Sequence, residues 1–149
     1  MDTLVVFGAK YLVVLVALVG IVAVVWMAEG RRRLIWLLVV TLPLGYALAR
    51  FAGLLYSHQQ PFVVEGFEPL IQHTADNAFP SDHTLAAGIF ASVAFLANRR
   101  VGLLLWALTL CIGAARVVAG LHYTIDIVAG ALLAVFAVWA ARRLLWSML

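Results

Sequence analysis

The chain has 149 residues, of which 66% are hydrophobic and only 11% charged. An ordinary soluble domain is about 45–50% apolar and about 25% charged, so a soluble globule is excluded and a bilayer must be part of the solvent. Ten Lys and Arg against seven Asp and Glu give a net charge of +3, but the basic residues sit in short clusters between apolar runs rather than on one face, which argues against nucleic-acid binding.

Five apolar stretches follow one another, from about Tyr11 to Ala28, Leu34 to Tyr56, Ser81 to Ala97, Val101 to Ala119 and His122 to Ala141. Each is near the roughly 20 residues that a spanning helix needs, with the third the shortest. The expected fold is all-α, a polytopic transmembrane bundle of about five spanning helices forming one domain over residues 1–149. The first stretch is longer than a signal-peptide core and runs directly into Arg31–Arg33, so it reads as a retained helix. Cys111 is the lone cysteine, which rules out an intrachain disulfide, and inside its apolar run it reads as a small buried hydrophobe.

Arginines orient the bundle. Arg31–Arg33 separate the first two stretches, Arg99 and Arg100 separate the third and fourth, and Arg142 and Arg143 follow the fifth. With five crossings all three places share one side, which the positive-inside rule assigns to the cytoplasm, giving an N-out, C-in topology. The polar segment from about Ser57 to Pro80 then lies outside; it holds Glu65, Glu68 and Asp76 and no Lys or Arg, and only Lys10 opposes the assignment. Tyr11, Tyr56 and Tyr123 fall near the outer interface, and Trp26, Trp36, Trp139 and Trp146 near the inner one, with Trp106 about a turn into its helix.

Ionisable groups at membrane depth are expensive and point to function. His122 and Asp126 are four residues apart, a spacing that on a helix places them on one face, where the carboxylate can orient the imidazole. Phe79-Pro80-Ser81-Asp82-His83-Thr84 reads as a helix start with Ser81 as N-cap, offering free N–H groups and a partial positive charge to an anion. Arg116 near the end of the fourth stretch can clamp an oxyanion or snorkel to the interface. Taken singly, each has a plain structural explanation: a helix-tying pair, a capped helix, a snorkelling arginine. Together they map to one membrane face, which a single anion site explains. His58 and His73 read as exposed interfacial histidines, and Glu65 and Glu68 as solvated or headgroup-facing.

These motifs resemble the type-2 phosphatidic acid phosphatase superfamily of membrane lipid phosphatases over about Ala47 to Gly130. The family's second motif, Pro-Ser-Gly-His, appears as Pro80-Ser81-Asp82-His83. Its third, Ser-Arg, five residues, His, three residues, Asp, appears as Ala115-Arg116, then His122 and Asp126 at matching spacing. The wording Phe-Pro-Ser-Asp-His-Thr looks most like bacterial undecaprenyl-diphosphate phosphatases. The first motif departs: Gly53 stands in place of its Lys and Gln60 in place of its Arg, with Arg50 one turn earlier as a substitute cation.

The resemblance implies a metal-independent lipid phosphatase without a cofactor, in a bacterial plasma membrane, and the arginine distribution turns the site outward. It implies His122 as nucleophile, Asp126 as its orienting carboxylate and His83 as the acid and base. It places Arg116, Ser81, Arg50 and Gln60 on the phosphate. The substrate it implies is a polyprenyl diphosphate such as undecaprenyl diphosphate. Phosphatidylglycerol phosphate, phosphatidic acid and a polyprenyl-phosphate sugar remain open, because the motifs read the phosphate and not the tail. A small transporter or ion-binding subunit is the alternative of another class, and a zinc site on His83, His122 and Asp126 is a third.

Overall fold

The computed structural model describes residues 2–147, with side chains as far as Leu145. Its regular structure is helical: α1 Asp2–Lys10, α2 Leu12–Met27, α3 Arg31–Leu55, α4 Pro61–Glu65, α5 Asp82–Ala97, α6 Arg99–Val118 and α7 Thr124–Ser147. Among the described residues the one strand-like feature is a bridge between Gln59 and Asn77. The five apolar stretches appear as α2, α3, α5, α6 and α7. Helices α1 and α4 had no signature in the sequence.

Among the described residues three helices, α3, α6 and α7, are long and apolar enough to cross a membrane, and a fourth crossing is available if α1 and α2, bent by 46° at their junction, act as one span. Helix α5, at 16 residues, is shorter than a full crossing. Its position explains its composition. It lies at the centre, packed against α2, α3, α6 and α7. Ala87, Ala91 and Ala94 face α2 and α6 with Val16, Leu105 and Ile112. Leu85, Ile89 and Val93 face α3 and α7 with Leu37, Ala134 and Val138. Lipid tails are as apolar as leucine, so helices in a bilayer associate through close packing, which small residues permit. The surrounding helices turn large side chains outward, among them Leu18, Val22, Val39, Leu103, Leu110, Leu132 and Phe136. Cys111 belongs to this outward set: it is exposed rather than buried, because its face of α6 points away from α5. The side chain of Trp146 lies outside the described residues.

Gly130 on α7 sets how closely the start of α5 can approach. A Cβ there would come within 2.7 Å of the Ser81 carbonyl oxygen and 3.3 Å of the Leu85 nitrogen. Gly130→Val is expected to cost about 1–3 kcal/mol by overpacking, visible as a lowered melting temperature in detergent, and to slow turnover because Ser81 and His83 shift together.

The two ends of the bundle differ. At one end Glu29, Gly30, Arg33, Leu34, Leu96 and Arg142 line a common cleft. Asn98 caps α6 there by accepting from the backbone N–H groups of Arg100 and Val101 at 3.0 and 3.2 Å. The arginine clusters therefore gather at one end, with Arg143 over the Trp139 ring. The starts of α5 and α7, the end of α6 and the 56–80 segment form the other end, which carries the site.

Candidate active site

Three helix ends converge on the site, the end of α6 and the starts of α5 and α7. Helix α6 ends at Val118, and Gly120 follows with a φ of 79° that suits a residue without a Cβ; the Leu121 N–H reaches back to the Arg116 carbonyl at 3.1 Å. The turn delivers His122, and α7 begins at Thr124. His122 is therefore not on the helix that carries Asp126, as the four-residue spacing suggested, but in the turn before it. Asp126 sits in the first turn of α7 and accepts from the Tyr123 N–H at 2.8 Å through Oδ2. The two side chains still meet, with Nδ1 of His122 at 3.4 Å from that same oxygen.

The better partner of His122 Nδ1 is the Ala78 carbonyl oxygen at 2.9 Å. Both neighbours of Nδ1 are acceptors, so this nitrogen carries the proton and Nε2 of the neutral ring is left as the base. Arg116 donates to Nε2 through its terminal nitrogen at 3.2 Å. A second terminal nitrogen donates to the Ala9 carbonyl at 3.2 Å, tying α1 to the site. The Arg116 Nε is buried without a hydrogen-bond partner among the described residues. Arg116, His122 and Asp126 are nearly sealed from solvent, at 5%, 6% and 0% exposure. A buried guanidinium with an unused donor beside a basic imidazole nitrogen forms a site that an anion's oxygens would complete.

The Phe79–Pro80 peptide is cis, and α5 starts as the sequence predicts. Ser81 is its N-cap, its hydroxyl accepting from the Thr84 N–H at 3.5 Å and from the Thr84 hydroxyl at 3.2 Å. Its own N–H donates to the Asp126 carbonyl at 3.1 Å, binding the second motif to the third. The Ser81 side chain is fully buried. His83 is half-buried in the first turn of α5, within electrostatic reach of Arg116, His122 and His73.

The first-motif positions are built differently. Gln60 is almost fully buried, and its amide is taken by Asp76, which also donates its N–H back to Oε1 at 3.1 Å. It is a staple across the 60–76 segment, with no free amide turned to His122. Arg50 pairs with Asp82 at the mouth of the site, both about half exposed, and lies over the Tyr46 ring. At Gly53 a Cβ would meet the Asn77 side-chain nitrogen at 3.0 Å and the Phe79 carbonyl at 3.1 Å. The place of the family's lysine is thus filled by the loop. Gly53→Lys is expected to reduce activity rather than raise it, measured as initial rate against wild type at equal protein, because the new side chain displaces Asn77 and Phe79.

One of the two loop histidines was underestimated from sequence. His58 is not an exposed interfacial residue: its Nε2 lies 2.8 Å from Asp126 Oδ1. The link spans 68 positions and runs through an unpredicted loop contact. The His58 N–H binds the Asn77 side chain at 3.2 Å, and its carbonyl accepts from the Ala78 N–H at 2.9 Å. His73 is exposed but lies where the site's charges reach it. Partial desolvation holds its pKa below the ordinary histidine value; Asp76 opposes this, and Arg116 and His122 reinforce it. Among the described residues no three His, Cys, Asp or Glu side chains are arranged to hold a metal ion.

Residues 33–148 match the family model described as the PAP2 superfamily. The chain is 33% identical over 151 residues to the bacitracin transport permease protein BcrC of Bacillus licheniformis, covering 97% of this chain and 73% of that protein. It is 29% identical over 138 residues to the undecaprenyl-diphosphatase BcrC of Bacillus subtilis strain 168, covering 91% of this chain and 70% of that protein. The crystal structure of Aquifex aeolicus LpxE superposes with a TM-score of 0.72 at 21% identity, over 95% of this chain and 82% of that one, which shows a shared fold.

Proposed function

This chain belongs to the PAP2 superfamily, and on that premise we propose that it removes a phosphate from a polyprenyl diphosphate, such as undecaprenyl diphosphate, through a phosphohistidine on His122. At the coarser level it is a membrane lipid phosphatase of the multi-pass bacterial kind. The observation that carries the finer reading is the buried contact between Arg116 and the basic Nε2 of His122.

In the first step the substrate phosphate replaces that contact and Nε2 attacks phosphorus. An N–P bond forms as the P–O bond to the leaving group breaks, and His83 gives its proton to the departing oxygen. Asp126 stabilises the positive charge that the attack places on the His122 ring. In the second step His83 takes a proton from water, the water oxygen bonds to phosphorus, and the N–P bond breaks. Arg116, through Nε and its terminal nitrogens, holds the equatorial oxygens as charge builds on them. Splitting one displacement into two is the usual logic of covalent catalysis. In this reading Arg50, paired with Asp82, is the cation offered to a second phosphate.

The test is phosphate release in detergent with EDTA present, comparing undecaprenyl diphosphate, phosphatidylglycerol phosphate and phosphatidic acid. Preferential release from the first supports this reading. Preference for either glycerolipid reassigns the substrate, and loss of activity with EDTA replaces the metal-independent scheme. The name of the Bacillus licheniformis relative favours a second reading, transport of a small ligand; purified protein that releases no phosphate from any of the three lipids would favour it.

The site faces outward in this proposal, because the arginine clusters gather at the opposite end. Glu68→Cys in a Cys111→Ala background is expected to react with a membrane-impermeant maleimide on intact cells. Reaction only after the cytoplasmic face is opened reverses the orientation.

A further inference from the structure

We propose that His58 is a positioning residue for the phosphoryl-transfer histidine, holding the Asp126 carboxylate in the rotation that turns Oδ2 toward His122. This rests on the reading of His122 as nucleophile. The two oxygens of Asp126 are divided. Oδ2 accepts from the Tyr123 N–H at 2.8 Å and faces His122 Nδ1 at 3.4 Å. Oδ1 is left for His58 Nε2 at 2.8 Å. The Asp126 side chain is fully buried, so without His58 its second oxygen loses its donor and the carboxylate is free to turn. A buried acceptor deprived of its donor is costly, and a turn brings the bare oxygen toward whatever donor remains, the His122 ring or the Tyr123 N–H.

His58 is built to hold still. Its ring lies 5.4 Å from Tyr56, 5.3 Å from Tyr123 and 6.3 Å from Phe79, centroid to centroid. Its other nitrogen, Nδ1, lies 3.1 Å from the Gln59 carbonyl oxygen. Both ring nitrogens thus face oxygen acceptors, which fixes the ring at either edge. The same segment that lacks the first-motif arginine at Gln60 supplies this donor. The backbone bonds of His58 to Asn77 and Ala78 also join it to the carbonyl that His122 Nδ1 uses. One loop thereby bears on both partners of His122 Nδ1.

The experiment measures kcat and KM for undecaprenyl diphosphate hydrolysis by the full chain in detergent. His58→Phe keeps the ring contacts and removes both donors. His58→Gln returns an N–H near the Nε2 position, and His58→Asn returns one near Nδ1 only. The Phe variant is expected to lose on the order of 10–100-fold in kcat, the range for removing a partner that orients a working group, with KM within about twofold. Gln is expected to recover most of the loss and Asn little. In an Asp126→Asn background His58→Phe is expected to add almost nothing, since the two act through one contact. Wild-type kcat in the Phe variant, equal rates for Gln and Asn, or a full multiplicative loss in the Asp126→Asn background would overturn the proposal. If the Phe variant does not fold, the Gln-over-Asn ratio decides in the same way. His122→Ala run alongside separates the two readings. Turnover retained in that variant sinks the nucleophile assignment itself, whereas turnover lost there and kept in His58→Phe sinks only the role of His58.

Discussion

His122→Ala should abolish phosphate release while the protein still inserts and purifies. Nε2 of His122 is the buried base of a ring whose other nitrogen faces the Ala78 carbonyl. Removing the ring removes the only nucleophile that this scheme contains, so the loss is that of the whole covalent route rather than of one stabilising contact. The fold should survive because the segment is held by backbone bonds that do not involve the imidazole, among them Leu121 N–H to Arg116 and Asp126 N–H to Tyr123, both at 3.1 Å. The check is twofold. Rate is measured on undecaprenyl diphosphate, and acid-labile label on the protein is sought after quenching a reaction with phosphorus-labelled substrate. Wild-type protein should trap label and the variant none; a variant that releases phosphate at even a tenth of the wild-type rate contradicts the mechanism.

The second large effect is expected at Arg116. Its guanidinium joins α1, through the Ala9 carbonyl, to the nucleophile, through Nε2. Arg116→Ala removes the buried cation and should cost about 10²–10³-fold in kcat, the scale of losing one preorganised oxyanion donor. Arg116→Lys should recover little. A lysine ammonium is a compact charge and cannot reach Ala9, His122 and two phosphate oxygens from one plane. A lysine variant within threefold of wild type would show that charge alone is needed and would remove the geometric argument. Stability should fall as well, since the Ala9 carbonyl loses its donor, and the melting temperature separates this from the catalytic loss.

Much of the fold was legible because membrane helices declare themselves by length and apolarity. The stretches starting near Tyr11, Leu34, Ser81, Val101 and His122 appear as helices with ends shifted by a few residues, the last running on beyond Ala141 to Ser147. Helix α1 was missed because nine residues are too few to span and its only charges are Asp2 and Lys10. The site was legible where its residues lie within one motif. Ser81 is a cap because serine before a helix satisfies a free N–H. His122 and Asp126 are neighbours because four residues of turn and helix bring them together.

His58 was not legible, and the reason is distance along the chain. Its partner Asp126 lies 68 positions away, and no periodicity of helix or strand relates the two. The same holds for Gln60. Sequence placed it at the family's arginine position, but only the folded 60–76 segment shows its amide spent on Asp76. Cys111 turned out exposed because in lipid an apolar run does not say which of its faces meets protein.

By itself, then, the amino-acid sequence determined the solvent, the class of fold, the separation of arginines from histidines along the chain, and the local constellation of Arg116, His122 and Asp126. These follow from transfer free energies and from contacts within a few residues. The tertiary structure decided which helix is central, which nitrogen of His122 carries the proton, which carbonyl of α1 receives Arg116, and that a loop histidine shares the buried carboxylate. Those depend on where distant backbone carbonyls and side chains are brought by packing, and buried polar groups accept only the partners that packing delivers.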